Sequence, residues 1–566
     1  MRRVNLPRSL PSHTLALTTL LLAGAGAEAG TVAYVNAAGT CDYPTIQAAV
    51  NDLPAGSEIR LASNEFVLNS ALSVFNREVR IVGGYPACGA PASTSTTTLR
   101  AGFSGDAVVS ILGNVPGALS LDLVNLDLVD ANNPTGNGGG MLVIGQGQIN
   151  LYNVGIFNNI AEDGAGIYLQ SIAPGPLGVS LLAGTQVGAV GAGNDALRIG
   201  GGVYCAGARV RLGATQISGN SAAQSGGGVR AFDACQLIST ADVGDTRIDG
   251  NSASEGGGIF ASSGTQIELQ SRPGQRLSIS GNVAQGDSSP RGGGVYLTNS
   301  GTQFIAHGAW IENNQAQLTG AGLFVTNGAS ATLDRGTDAC ALGDDQCSRI
   351  AGNQLRNADG SLSGNGAGVF VSSAQASISH TRIENNSSFT AAALRASGSA
   401  QLLLSNVLIS QNSSSLRLIN IEGEASAGLD LLTIADNSFV GAAINVSSTA
   451  PAALSLARSI FLVPEGNSHV SGAGATQFSC LNTGAGGALG GDAHLPAFFD
   501  AANGIYRLRN DSQNLDRCTA MGGESPVDLA GLPRVIDRPG TPNNIGPVDR
   551  GAFEDVESLL MDGFED

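Results

Sequence analysis

Three features of this chain predict an all-β fold, wound as a parallel β-helix of three sheets with a capping helix near its start. The first is a recurring unit, seen in residues 248–260, IDGNSASEGGGIF. An apolar residue stands three places before an Asn, a polar turn follows, and a small-residue triplet opens an apolar strand. Adjoining copies are ISGNSAAQSGGGV (217–229) and ISGNVAQGDSSPRGGGVY (279–296). The second is composition. Glycine makes up 80 of 566 residues and aromatics only 5%, which rules out a bulky aromatic core, yet at 42% hydrophobic the chain is too apolar to stay disordered. The third is punctuation: short strands alternate with Gly- and Ser-rich turns, with no long helix between them. That pattern opposes a βαβ fold and favours one coil per repeat. Because each repeat packs only on its neighbours, this length does not require several domains.

Taken in order, residues 1–29 read as a secretory signal. Arg2, Arg3 and Arg8 precede an apolar run over 15–27, and Ala27-Glu28-Ala29 fits a small-x-small cleavage site. Cleavage there removes three Arg and one Glu, taking the net charge from −18 to −20. Residues 31–36 read as a first strand. Pro44 to Asp52 reads as a short amphipathic helix, with Pro at its first turn and Ile46, Ala49 and Val50 on one face. Leu53-Pro54-Ala55-Gly56 stops it, and a strand follows at 58–61. Such a helix covers the open end of a stack, which otherwise exposes unpaired strand edges.

The Asn positions set the period: Asn133, Asn159, Asn194, Asn220, Asn251, Asn282, Asn314, Asn353, Asn386, Asn412 and Asn437. Their steps run 26, 35, 26, 31, 31, 32, 39, 33, 26 and 25 residues, so the bare coil is near 25 and longer steps carry insertions. Small-residue triplets at 138–140, 164–166, 200–202, 226–228, 256–258, 292–294, 320–322 and 366–368 keep pace. Each unit has room for three short strands, here 258–262, 266–270 and 277–280. A Gln often opens the second: Gln148, Gln236, Gln266, Gln303, Gln375, Gln401. Roughly fourteen coils stacked at about 4.8 Å make a rod on the order of 65 Å long. After about residue 465 the pattern fades.

YPTIQAAVNDLPAGSEIRLA (43–62) resembles the N-terminal capping segment of right-handed parallel β-helix proteins, the pectin-lyase-like superfamily. The coils resemble those of polymorphic outer-membrane proteins, with their Gly-Gly-apolar and apolar-x-x-Asn signatures. Residues 495–554 resemble the C-terminal segment of choice-of-anchor proteins, which folds over the last coils. The tail LLMDGFED (559–566) resembles a short Asp-Gly-Phe-Glu tail of secreted gammaproteobacterial proteins. The resemblance implies a right-handed parallel β-helix; it says little about function, because one fold hosts lyases, hydrolases and adhesins. The expected organisation is a signal at 1–29, a cap at 30–60, coils at 61–465, a C-terminal capping segment at 466–556 and a tail at 557–566.

Eight cysteines without a Cys-x-x-Cys pair point to disulfides rather than zinc. A solenoid keeps sequence neighbours close, so the expected pairs are sequential: Cys41 with Cys88, Cys205 with Cys235, Cys340 with Cys347, and Cys480 with Cys518. Every basic residue is Arg, and the acidic balance argues against nucleic acid. No later stretch is long enough to span a membrane.

The candidate chemistry is mostly scaffold. Asn159, Asn220, Asn251, Asn282, Asn314, Asn353, Asn386 and Asn412 are expected to stack as a ladder of amide hydrogen bonds. The Gly triplets permit close backbone approach, and without a following helix they do not cradle phosphate. The motif sets of galacturonan hydrolases and pectate lyases are missing; the single Trp, Trp310, sits in an ordinary repeat. His307 and His380 fall at strand positions and read as surface residues. Asp122, Asp127 and Asp130 read as an exposed strand face. Asp338, Asp344 and Asp345 crowd the Cys340–Cys347 loop and are the candidate calcium ligands, the plainer reading being a solvated acidic loop; no other cofactor is expected. These features predict a secreted or cell-surface protein, monomeric, acting as a non-enzymatic binding or adhesive rod for a polysaccharide or surface partner. The alternative is a polysaccharide lyase or glycoside hydrolase. Local function is expected where the period breaks: the 35-residue step before Asn194, the Cys340–Cys347 loop and the C-terminal segment.

Overall fold

One coil shows how the repeat becomes structure. Ile259–Ala261 forms a first strand, and the chain turns through left-handed Ser263 and Gly264. Gln266–Gln270 and Leu277–Ser280 follow, then Asn282 and a two-residue strand, Val283–Ala284. Each strand pairs in parallel with its counterpart one coil on: Ile259 with Val295, Gln266 with Gln303, Leu277 with Ala309, Val283 with Gln315. The computed structural model describes residues 30–172, 176–239, 244–272, 274–286, 289–335, 348–484, 488–520, 522, 525–535 and 546–554. Over these the chain is a right-handed parallel β-helix with three parallel sheets of 25, 14 and 10 strands; the fourteen-stranded one takes one strand from each coil.

The sheets are drawn differently from the sequence expectation. The second and third expected strands belong to one wide sheet folded at a corner. In five coils a single strand runs through that corner: Ser120–Val129, Gly147–Phe157, Gln375–Glu384, Gln401–Ser410 and Ser426–Ala435. Each bends at one left-handed residue, respectively Asn125, Asn153, His380, Asn406 and Leu431. The third sheet is built from pieces as short as Val283–Ala284, too brief to show a period. Parallel pairing continues to Thr476–Ser479, past the point where the sequence period fades.

Alternation along the strands fills the interior. Ile217, Ile248, Ile279, Ile311, Ile350, Ile383, Ile409 and Ile434, each three residues before an Asn, are fully buried in one column. Burying each contributes about 1.5–3 kcal/mol relative to exposure. The short sheet turns alanines inward, among them Ala196, Ala222 and Ala253.

The start is closed by the helix Ile46–Asp52, whose buried face is Ile46, Ala49 and Val50. Thr45, not Pro44, caps it: its hydroxyl accepts from Ala48 N at 3.1 Å. Three disulfides join Cys41–Cys88, Cys205–Cys235 and Cys480–Cys518, with Cα separations of 6.0, 5.9 and 5.9 Å. Cys340, Cys347, Asp338, Asp344 and Asp345 lie outside the described residues. No helix among the described residues is long and apolar enough to cross a membrane.

The asparagines form a continuous buried ladder. Asn159, Asn194, Asn220, Asn251, Asn282, Asn314, Asn353, Asn386 and Asn412 each donate from Nδ2 to Oδ1 of the next rung at 2.9–3.0 Å, ending on Asn437. The other Nδ2 proton of Asn282 goes back to the Ile248 carbonyl at 2.9 Å, and Asn282 Oδ1 also accepts Asn251 N at 3.0 Å. Asn133 stands off the ladder: its amide turns to the Asn137 and Gly138 carbonyls, while Ala131 N bonds to Asn159 Oδ1. The triplets leave room for the rungs. A Cβ on Gly258 would lie 2.9 Å from the Asn282 side chain and 2.6 Å from the Gly294 carbonyl. Asn282→Ala is expected to cost about 2–4 kcal/mol, since it strands buried partners on both sides. Asn282→Asp is expected to cost more despite its equal size, because a carboxylate cannot donate to Ile248 O or Asn314 Oδ1. Urea unfolding of both variants checks the order; an Asp variant as stable as wild type would contradict the ladder.

Candidate functional site

The corner between the fourteen-stranded sheet and the wide sheet carries a groove of about 860 Å³. Its shape follows from uneven connections. Residues 114–119 bridge the corner in one coil, 146 alone in the next and 207–208 in the fourth. Pro116 and Pro176 stand at the groove walls, and Gln146, Gly207 and Ala208 line it between them. The opening residues of successive wide-sheet strands pave the floor in register: Gln148, Gly178, Arg209 and Gln236. Spanning five coils, the groove runs parallel to the axis for about 20 Å.

Gln148 donates from Nε2 to Asn150 Oδ1 at 3.0 Å and to Ser180 Oγ at 3.1 Å. Gly178 permits this reach, because a Cβ there would stand 2.8 Å from Gln148 Oε1. Arg209 donates from Nε to Gln236 Oε1 at 2.7 Å. Arg211, two residues on, projects from the same outer strand face. Neither has a carboxylate within ion-pair distance among the described residues. Some arginines elsewhere are met by acids, Arg349 by Glu312 at 3.3 Å and Glu384 at 2.7 Å and Arg550 by Asp492 at 2.6 Å, while others such as Arg356 and Arg417 bond to carbonyls or amides. The groove therefore concentrates positive charge on a chain of net charge −18.

Two other faces are more fully occupied. On the fourteen-stranded sheet, Phe260, Tyr296, Phe324 and Phe370 stack outside the coil with centroids 4.8–4.9 Å apart. Arg230 lies 4.0 Å over one end and Arg395 4.4 Å over the other. These rings are 4–6% exposed, so their faces are spent on one another and on arginine. On the wide sheet, Trp310 is packed between Arg276 and Arg349. Burial raises the Glu312 carboxyl, and the Arg349 guanidinium pulls it back.

The third feature is a seam where the C-terminal segment lies along the wide-sheet corner. Tyr506, Leu529, Ala530, Ala552 and Phe553 cover Leu408 and Ala435, outward positions on a bare coil. Arg534 is fully buried; it donates to Asn406 Oδ1 through Nε at 3.0 Å, to Glu554 Oε2 at 3.2 Å and to the Gly551 carbonyl at 2.9 Å. His380 lies beneath the same segment and is 5% exposed, which corrects its reading as a surface residue. Its Nδ1 is 2.8 Å from Asp334 Oδ1, and its Nε2 is 2.9 Å from Ser525 Oγ and 3.2 Å from the Val527 carbonyl.

Of the other sequence candidates, Asp122 accepts from Asn150 Nδ2 at 2.9 Å, Asp127 accepts from Thr96 and Asp130 pairs with Arg100; these three serve the sheet face. His307 stands opposite Asp334 in register. Among the described residues no three His, Cys, Asp or Glu side chains gather to hold a metal ion. Sequence reasoning missed the groove arginines, whose signal was Arg-x-Arg directly after a corner, and Ser525, which carried none. The chain matches no protein-family model, and no curated protein matches it.

Burial, reinforced by Asp549, pushes the Glu554 carboxyl up to about 9 despite Arg534, and burial also raises Asp528. A carboxyl that holds its proton more tightly when folded stabilises the fold less as pH rises. The seam is therefore expected to loosen between about pH 4.5, the ordinary Glu value, and about pH 9. Hydrogen-exchange protection over 525–535 and 546–554, corrected for the intrinsic rise of exchange with pH, should fall across that window, and Glu554→Gln should flatten the dependence.

Proposed function

We propose that this protein is an exported β-helix rod that binds a linear acidic polysaccharide along the groove beside Arg209 and Arg211. The observation that carries the reading is the pair of arginines without carboxylate partners among the described residues, on the floor of a groove parallel to the rod axis. Guanidinium groups bind carboxylates bidentately, and adjacent amides such as Gln148 and Gln236 suit sugar hydroxyls. The acidic remainder of the surface repels polyanions and so favours this one stripe. Disulfides persist in oxidising compartments, which supports export, as does the signal-like start of the sequence. The rival reading, a lyase or hydrolase, rests on Glu312 and Glu384, two carboxylates set two coils apart. Both are held by Arg349, which favours a scaffold role for them.

The test is a titration of mature protein against polyuronate, sulfated and neutral polysaccharides, with product analysis in parallel. Polyuronate is expected to bind, more weakly at higher salt, and Arg211→Ala is expected to weaken binding at least about tenfold, the value of one charged hydrogen bond. Equal binding of a neutral glucan would defeat the charge argument. New reducing ends or unsaturated products that vanish in Glu312→Gln would establish the rival reading.

A further inference from the structure

We propose that Ser525, His380 and Asp334 form a nucleophile, base and orienting acid that cleave small acyl esters at the seam. The site is separate from the groove and does not depend on what the groove binds. Three residues far apart in the sequence meet here. The hydroxyl of Ser525 is 2.9 Å from His380 Nε2, 145 residues away. The other ring nitrogen is 2.8 Å from Asp334 Oδ1, 46 residues away. This is the arrangement that activates a serine: a hydroxyl on a ring nitrogen, the ring held by a carboxylate.

The fold sets each part. His380 occupies the left-handed corner of its strand, with φ of 45°, and its ring is buried, which fixes its direction. With the Nδ1 proton given to Asp334, Nε2 keeps a lone pair for the Ser525 proton. The Asp334 carboxyl is lowered overall: its bond to His380 and the Arg335 backbone N–H outweigh its desolvation, so the acceptor stays ionised beside the ring. Ser525 is half-buried. Asn406 occupies the same corner one coil on; Arg534 holds its Oδ1, and its Nδ2 lies 3.4 Å from His380 Nε2. Asn406 is fully buried, so the donor beside the nucleophile is the Val527 backbone N–H, 3.4 Å from Ser525 Oγ. The Val527 carbonyl, 3.2 Å from Nε2, accepts the ring proton once the imidazolium forms.

The step balances without a co-reactant other than water. Ser525 Oγ bonds to the acyl carbon as its proton passes to His380 Nε2. The carbon–alkoxide bond breaks and the alcohol leaves with that proton. Water, deprotonated by Nε2, then releases the acyl group as an acid and restores Ser525. A single amide donor stabilises an oxyanion modestly, so the site suits esters, whose leaving groups depart readily, rather than amides.

The experiment treats the full mature chain with a fluorophosphonate probe and with p-nitrophenyl acetate. A covalent adduct mapping to Ser525 and catalytic turnover of the ester are expected. Ser525→Ala and His380→Gln are expected to lower turnover at least about 100-fold. Asp334→Asn, a positioning variant, is expected to lower kcat and move its pH profile while leaving the fold intact by circular dichroism. Ser525→Cys, which keeps the side-chain shape, is expected to be alkylated faster than free cysteine. Wild-type protein that takes up no probe at Ser525 while the seam resists proteolysis would overturn the proposal. So would ester hydrolysis that persists in Ser525→Ala. Polyuronate binding by Ser525→Ala reports on the groove alone, so failure of either site is read separately.

Discussion

From Asn159 to Asn437 each coil must bring a buried asparagine amide within hydrogen-bond distance of the next, and the rest of the structure accommodates that demand. An amide without its partner in a dry core costs more than the bond contributes, so the rungs tolerate no gap. Gly258 is bare because Asn282 fills the space beside it. Ile248 and Ile279 precede their rungs by three residues, so that a core side chain and a backbone acceptor arrive together. The short alanine-lined sheet is what fits between ladder and triplet.

A scaffold so constrained inside places its variety at the corners. The connections at the first corner shape the groove, and His380, Asn406 and Leu431 at the second corner receive the C-terminal segment. The groove falls within the coils that include the 35-residue step before Asn194. The seam gathers His380, Asn406, Leu431, Arg458 and Cys480, which share one position in successive coils. Regular coils thus align unlike side chains into columns, and a second layer of chain converts one such column into a buried polar network.

Much of this was legible in the residues. Ile248, Asn251 and the triplet 256–258 announce strand, rung and turn because each obeys a local rule that repeats. Cys205 and Cys235 lie in consecutive units, so the period brings them near each other, although in register Cys205 stands opposite Ala231. The helix Ile46–Asp52 shows its buried face in Ile46, Ala49 and Val50. What stayed hidden has no local rule. Val283–Ala284 is too short for alternation. His380 looks like an outward strand residue until a segment 145 residues later covers it. Arg209 and Arg211 are unremarkable until the neighbouring connections raise walls beside them.

The disulfide between Cys480 and Cys518 has a mechanical meaning. It ties the last coils to the start of the seam, closing a loop of 38 residues. Tension applied from the far side of Glu554 would peel the segment from the corner column one contact at a time. At Cys518 the load would pass across the sulfur bridge into the coil wall, bypassing the loop, in which Phe498–Asp500 and Ile505–Leu508 pair antiparallel. The covalent link thus acts as a stop that protects the final coils from unwinding when the rod is pulled by its tail.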